Sequence, residues 1–165
     1  MRHVLRRREI VADEWRHLSE EPEAASADVP LIVPLAELRA NAHFWAARPA
    51  PLGVHLAPAD KVEALAVDLA RFALIAVDFP TPSEGRGYTQ GRLLRARLGF
   101  SGELRAVGAA VKRDQIFALV RCGFDAFELA PGEDLEAAAK ALDRYSVAYQ
   151  RGARGSPPLR QRFSA

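Results

Sequence analysis

Short apolar runs recur along this chain, each followed by a longer stretch whose apolar positions fall at helical spacing. LIVPL (Leu31–Leu35), PLGVHLA (Pro51–Ala57), ALIAVDF (Ala73–Phe79), ELRAVG (Glu103–Gly108) and FDAFELA (Phe124–Ala130) read as strands. The third is apolar enough to be buried on both faces, as parallel strands are. Between them AELRANAHFWAAR, DKVEALAVDLARF, GRGYTQGRLLRARLG and DQIFALVRCG read as helices, the last two closing at Gly99 and Gly123. A final helix is predicted from Glu133 to Tyr149, with an apolar stripe of Leu135, Ala138, Ala139, Leu142, Tyr145 and Val147.

The repeat of roughly 20–27 residues from strand to strand is the length of one βα unit. About five such units in series predict an α/β fold with a parallel sheet and right-handed crossovers. Two closures satisfy this pattern: an open doubly wound sheet, flavodoxin-like, with helices on both faces, or a partial βα barrel with all helices outside. Five units are too few to close an eight-stranded barrel, which favours the open sheet. Ahead of the repeat, HVLRRREIV reads as a short β-hairpin over a basic turn, and DEWRHL as a turn or short helix. The organisation is then an arm over 1–18, an acidic Pro-punctuated linker over 19–30, the βα domain over 31–150, and a solvated, disordered basic tail over 151–165.

Composition narrows the function classes. At 165 residues with 49% hydrophobic and 27% charged content, the chain has ample core for one domain. No apolar run approaches the roughly 20 residues that span a bilayer. The basic N-terminus lacks an apolar h-region, so a soluble cytoplasmic protein without membrane contact is expected. The net charge is only +2, with both signs interspersed through the body, which argues against nucleic acid as a partner. The excess sits in Arg6, Arg7, Arg8 and the tail. A single cysteine, Cys122, excludes an intramolecular disulfide, a CxxC pair and a four-thiolate cluster. Near a helix C-terminus, it reads as a buried structural thiol.

The candidate chemistry lies at strand ends, where βα folds concentrate it. His55, Asp78, Arg105 and Glu128 each stand two or three positions before the exit of successive strands. Strand side chains alternate with period two, so equivalent positions in adjacent parallel strands share a face. These four are the candidate catalytic cluster, since a carboxylate beside histidine or arginine serves acid–base chemistry or oxyanion recognition. A buried ion-pair network is the structural alternative. A second candidate is the Gly85-Arg86-Gly87-Tyr88-Thr89 turn. Backbone N–H groups at its helix start, the Arg86 fork, the Thr89 hydroxyl and Tyr88 make a ligand-binding set for sulfite, sulfate, phosphate or carboxylate, alongside plain helix capping. The spacing Gly85, Gly87, Gly91 misses the dinucleotide fingerprint by one residue. His3, His17 and His43 show no metal-ligand spacing, and no metal is expected.

The stretch DFP…GRGYTQGRLLRARLGFSGELRAVG…DQIFALVRCGFDAFELAP resembles the core of DUF934, a bacterial family of unknown function, with the likeness running from about Ile10 to Gln150. Its members often carry an oxidoreductase label, because their genes tend to lie beside assimilatory sulfite reductase. The family usually has Asp where this chain has Glu84, and commonly Ser where Thr89 stands; both changes keep an acid and a hydroxyl. The resemblance implies an accessory protein of assimilatory sulfite reduction, binding the reductase or a small oxyanion, and carries over no catalytic residues. The residues themselves show no flavin, haem, cluster or nicotinamide motif, leaving the cofactor unknown. The alternative expectation is a small βα enzyme that uses His55, Asp78, Arg105 and Glu128 on an anionic metabolite. Weak self-association through an open sheet edge is a further expectation.

Overall fold

The computed structural model describes residues 2–26 and 28–143. Its strands are β1 (His3–Arg6), β2 (Glu9–Ala12), β3 (Arg16–His17), β4 (Leu31–Pro34), β5 (Leu52–Leu56), β6 (Leu74–Asp78), β7 (Glu103–Val107) and β8 (Ala126–Phe127). Helices α1 (Leu35–Ala40) and α2 (Ala42–Ala46) follow β4, α3 (Arg86–Arg92) follows β6, α4 (Ile116–Arg121) follows β7, and α5 (Leu135–Asp143) follows β8. The strands make one eight-stranded sheet in the order β2-β1-β8-β7-β6-β5-β4-β3. From β3 to β8 every neighbouring pair is parallel. β1 runs antiparallel to both β8 and β2.

The preference for an open doubly wound sheet is corrected by this order. A doubly wound sheet reverses its strand order at a switch point, whereas β3 to β8 follow one another without reversal. With crossovers of one hand, all helices then lie on one side. Packing agrees: Leu31, Val33, Val54, Ile75, Val77, Leu104, Ala106 and Phe127 share one core with Leu38, Trp45, Leu94, Ile116, Leu119 and Leu142 from the helices. Fully burying each such Leu, Ile or Val contributes about 1.5–3 kcal/mol.

The chain itself requires the sheet to curl. β2 and β3 are opposite edges, yet only residues 13–15 separate Ala12 from Arg16. Four residue steps reach about 14 Å. Eight flat strands at about 4.8 Å spacing would hold the edges roughly 34 Å apart. The sheet therefore wraps into a partial barrel, and its missing strands come from the N-terminal arm. DEWRHL, expected as a turn or helix, supplies β3 instead: the Arg16 amide donates to the Pro30 carbonyl and that of Leu18 to Ile32, so this backbone is satisfied as an edge strand.

The helix expected over 60–72 is also corrected. Two 3-10 turns stand there, Val62–Leu65 and Leu69–Arg71. Val62, Leu65 and Phe72 are buried while Val67 is 94% exposed. Spacings near three suit a 3-10 turn as well as an α-helix. Inside the expected linker, Pro22–Ser26 forms another 3-10 turn with Ala24 buried. Residues 144–149 of the last expected helix and the 151–165 tail lie outside the described residues.

The β1–β2 hairpin pairs Arg6 with Glu9, so Arg7 and Arg8 make a two-residue turn with φ of 49° and 76°. Tight hairpins need such positive φ values and normally use Asn-Gly. A left-handed conformation costs a side-chain-bearing residue about 1–2 kcal/mol. In α3, Gly87 and Gly91 lie one turn apart; a Cβ would stand 2.5 Å from the Phe79 ring at Gly87 and 2.3 Å from that of Phe124 at Gly91. These glycines let the helix approach two aromatic rings. Gly91→Ala should therefore lower stability by about 1–3 kcal/mol through overpacking. A urea midpoint equal to wild type would contradict that packing.

Candidate functional site

The inner, concave face of the sheet, opposite to the helix-covered one, carries a buried charged network beside a small apolar cluster. Register places Pro34, His55, Ala76, Arg105 and Ala126 side by side. Asp78 lies two residues beyond Ala76, and Glu128 two beyond Ala126. Period-two alternation thus turns His55, Asp78, Arg105 and Glu128 to the same face. The residues they meet come from the N-terminal arm, where Asp13, Trp15 and His17 alternate in the same way.

Arg105 is the centre of this network and is only 1% exposed. Its guanidinium donates to Glu103 (Nε 2.8 Å; Nη2 2.7 Å), to both Asp13 oxygens at 3.0 Å and to Glu128 Oε1 at 2.8 Å. Arg2 adds a second cation, 3.1 Å from Asp13 and 3.7 Å from Glu128. Burial disfavours the Arg105 charge, but Glu103, Asp13 and Glu128 outweigh it and raise its pKa. A guanidinium shared among three carboxylates is a framework group. It fixes the carboxylates in place.

Glu128 links that framework to the histidines. Its two oxygens lie 2.9 and 3.1 Å from His17 Nε2. Burial would push Glu128 upward, but the His17 hydrogen bond and charge, followed by Arg105, hold it at about 2. The His17 ring meets that of His55 edge-on, with centroids 6.3 Å apart. Burial lowers the His55 pKa, with Asp78 pulling the other way. Asp78 is raised by burial and drawn back by His55. It stands at the C-terminal mouth and is half-buried. Gly108, at φ +110°, lies against its carboxylate: a Cβ there would be 2.5 Å from Asp78 Oδ1. The four strand-end residues thus share one face and fall into two groups. Arg105 and Glu128 belong to a buried ion network, whereas His55 and Asp78 form its outer end toward the mouth.

Sequence reasoning missed Asp13, His17, Glu103 and Arg2. The alternation of Asp13, Trp15 and His17, and of Glu103 with Arg105, was a readable signal once DEWRHL is extended. Trp15 lies on Gly53, where a Cβ would come within 3.1 Å of its ring, and it packs with Ile32, Leu74, Ala76 and Val107 on the inner face.

The Gly-Arg-Gly turn divides. Glu84 receives the Arg86 backbone N–H at 3.0 Å and its guanidinium at 2.9 and 2.8 Å, so a carboxylate of the chain occupies both donors. Gly87 and Tyr88 pack on Phe79, the two rings 5.2 Å apart. Arg86 and Thr89 line a groove of about 300 Å³ with Asp60, Lys61 and Gln90. The Gln90 amide donates to the Ala57 and Asp60 carbonyls at 3.0 and 2.8 Å, tying α3 to the loop after β5. None of the strand-end residues lines this groove. A roomier cleft of about 730 Å³ beside Phe44 and His43 also shares no residue with either candidate set, so volume does not choose the site.

Cys122 is half-buried at the end of α4, and burial raises its thiol pKa against Arg92 and Arg121. Among the described residues, no three or more His, Cys, Asp or Glu are grouped to hold a metal ion, and no helix is long and apolar enough to cross a membrane.

No curated protein matches the sequence. The stretch that carries β5 to β8, the mouth and the Gly-Arg-Gly turn does match a family profile. Over residues 53–160 it fits bacterial proteins of unknown function, DUF934, and the chain belongs to that family.

Proposed function

We propose that the protein receives a small polar metabolite at the C-terminal mouth of the curled sheet and moves a proton there, with His55 as a neutral base and Asp78 as its acidic partner. The observation that carries this reading is the pair itself. Burial lowers an imidazole and raises a carboxylate on the same face, which brings their proton affinities toward each other. In βα barrels, chemistry sits at this end of the strands. Beneath the pair, Arg105 is saturated by its carboxylates and acts by positioning Glu128 and, through it, His17 against His55. The pathway we propose is the one the family resemblance implies. The protein would be an accessory of assimilatory sulfite reduction, acting on a small oxyanion or beside the reductase. The same mouth also fits the alternative, a small enzyme for another anionic metabolite.

A deletion strain tests both parts. Growth only on sulfide, restored on sulfate and sulfite by the wild-type gene, supports the pathway; unimpaired growth on sulfate rejects it. His55→Gln and Asp78→Asn should fold with wild-type melting temperatures yet fail to complement. Full complementation by both would remove the mouth as the working site, whatever the pathway.

A further inference from the structure

His17 is only 6% exposed, and its ring stands edge-on to that of His55 at the mouth. Glu128, held at about 2, is ionised at neutral pH and can only accept hydrogen bonds. His17 Nε2, 2.9 and 3.1 Å from its two oxygens, therefore carries a hydrogen. Nδ1 is the nitrogen left to take up a proton. The ion network behind Glu128 is one cation short. Among the described residues, contacts of 2.7–3.7 Å join four carboxylates, Asp13, Glu20, Glu103 and Glu128, to three guanidiniums, Arg2, Arg6 and Arg105. An imidazolium at His17 supplies the missing charge, against a carboxylate that it already touches, and buried charge is costly unless paired.

His55 is placed differently. Burial disfavours its charged form; Asp78, Asp60 and Glu128 act on it through space, and a charged His17 opposes them. Two imidazolium rings 6.3 Å apart repel, so at an effective dielectric of about 20 the second proton binds about a hundredfold more weakly. We propose that His17 and His55 work as one unit that takes up its first proton on His17, drawn there by Glu128, and so keeps His55 neutral. The use of that neutrality rests on the reading of His55 as the base of the mouth. His17 is then a positioning residue, which acts through His55.

The test follows the imidazole nitrogens of the full chain by NMR across pH, without substrate. Single His→Gln variants assign the four rings, with the exposed His3 and His43 as references. In wild type, His17 should show the Nε2–H form and take up its proton before His55 as pH falls. His17→Gln should let His55 bind its proton roughly tenfold or more tightly, moving its midpoint to higher pH. His55→Gln should leave the His17 midpoint in place, because His17 fills first. Equal midpoints, His55 titrating first, or an Nδ1–H form of neutral His17 would overturn the proposal. A His55 midpoint indifferent to His17→Gln would overturn it too. Should His17→Gln fail to fold, the wild-type order and the His55→Gln spectrum still decide. Independent titrations remove the pair and leave the mouth as the working site, whereas complementation by His55→Gln and Asp78→Asn removes only the latter.

Discussion

Replacing Arg105 with methionine should cost the fold about 3–5 kcal/mol, the cost of removing one partner from a buried ion pair. The volume is roughly kept, so the loss is electrostatic. Asp13, at 0% side-chain exposure, Glu103 and Glu128 would lose the cation they share, and among the described residues they would keep only Arg2, Arg6 and the His17 hydrogen bond to Glu128. Such a loss is a large part of the roughly 5–15 kcal/mol that stabilises a typical domain. Acid should partly rescue the variant, because protonating the orphaned carboxylates removes their repulsion. Arg105→Lys should rescue little, since a single ammonium cannot engage three carboxylates in fork geometry. Urea unfolding at neutral pH measures the effect. A loss below about 1 kcal/mol would mean that the network is solvated and carries no structural role.

The second large effect concerns Glu128 and pH. Its folded pKa of about 2 lies below its ordinary 4.5. A depressed carboxylate contributes stability that is present above the unfolded value and is lost as pH falls from about 4.5 toward about 2. At about 1.4 kcal/mol per unit, the contribution at neutral pH is about 3 kcal/mol. Wild type should therefore weaken steeply through that window. Glu128→Gln should be less stable at neutral pH by a similar amount and should show a flatter acid limb. Urea midpoints at neutral pH and at several acid pH values distinguish the two chains. Parallel slopes would assign the acid sensitivity to other carboxylates.

Much of the fold was readable because its signals are local. β4 to β7 appear within a residue of their apolar runs, and β8 occupies the middle of its run, since a strand buried on a sheet declares itself by composition. The shared face of His55, Asp78, Arg105 and Glu128 was readable for the same reason. The helix expected over 60–72 failed because its apolar spacing serves two helix types and tertiary context chose between them. The anion turn was read from its glycine-flanked helix start and from the Arg86, Tyr88 and Thr89 side chains. In three dimensions Gly87 and Gly91 answer to the Phe79 and Phe124 rings, and Glu84 takes the Arg86 fork.

The amino-acid sequence alone determined the βα repeat, the parity of its strands, and so the side on which each strand-end charge stands, because these follow from period-two alternation within a few residues. Only the tertiary structure decided that this side is the inside of a curled sheet and which groups meet there. His17 reaches Glu128 across 111 residues, and Asp13 reaches Arg105 across 92. Those contacts exist because a three-residue link between opposite edges forces the sheet to wrap, a constraint that no local pattern contains.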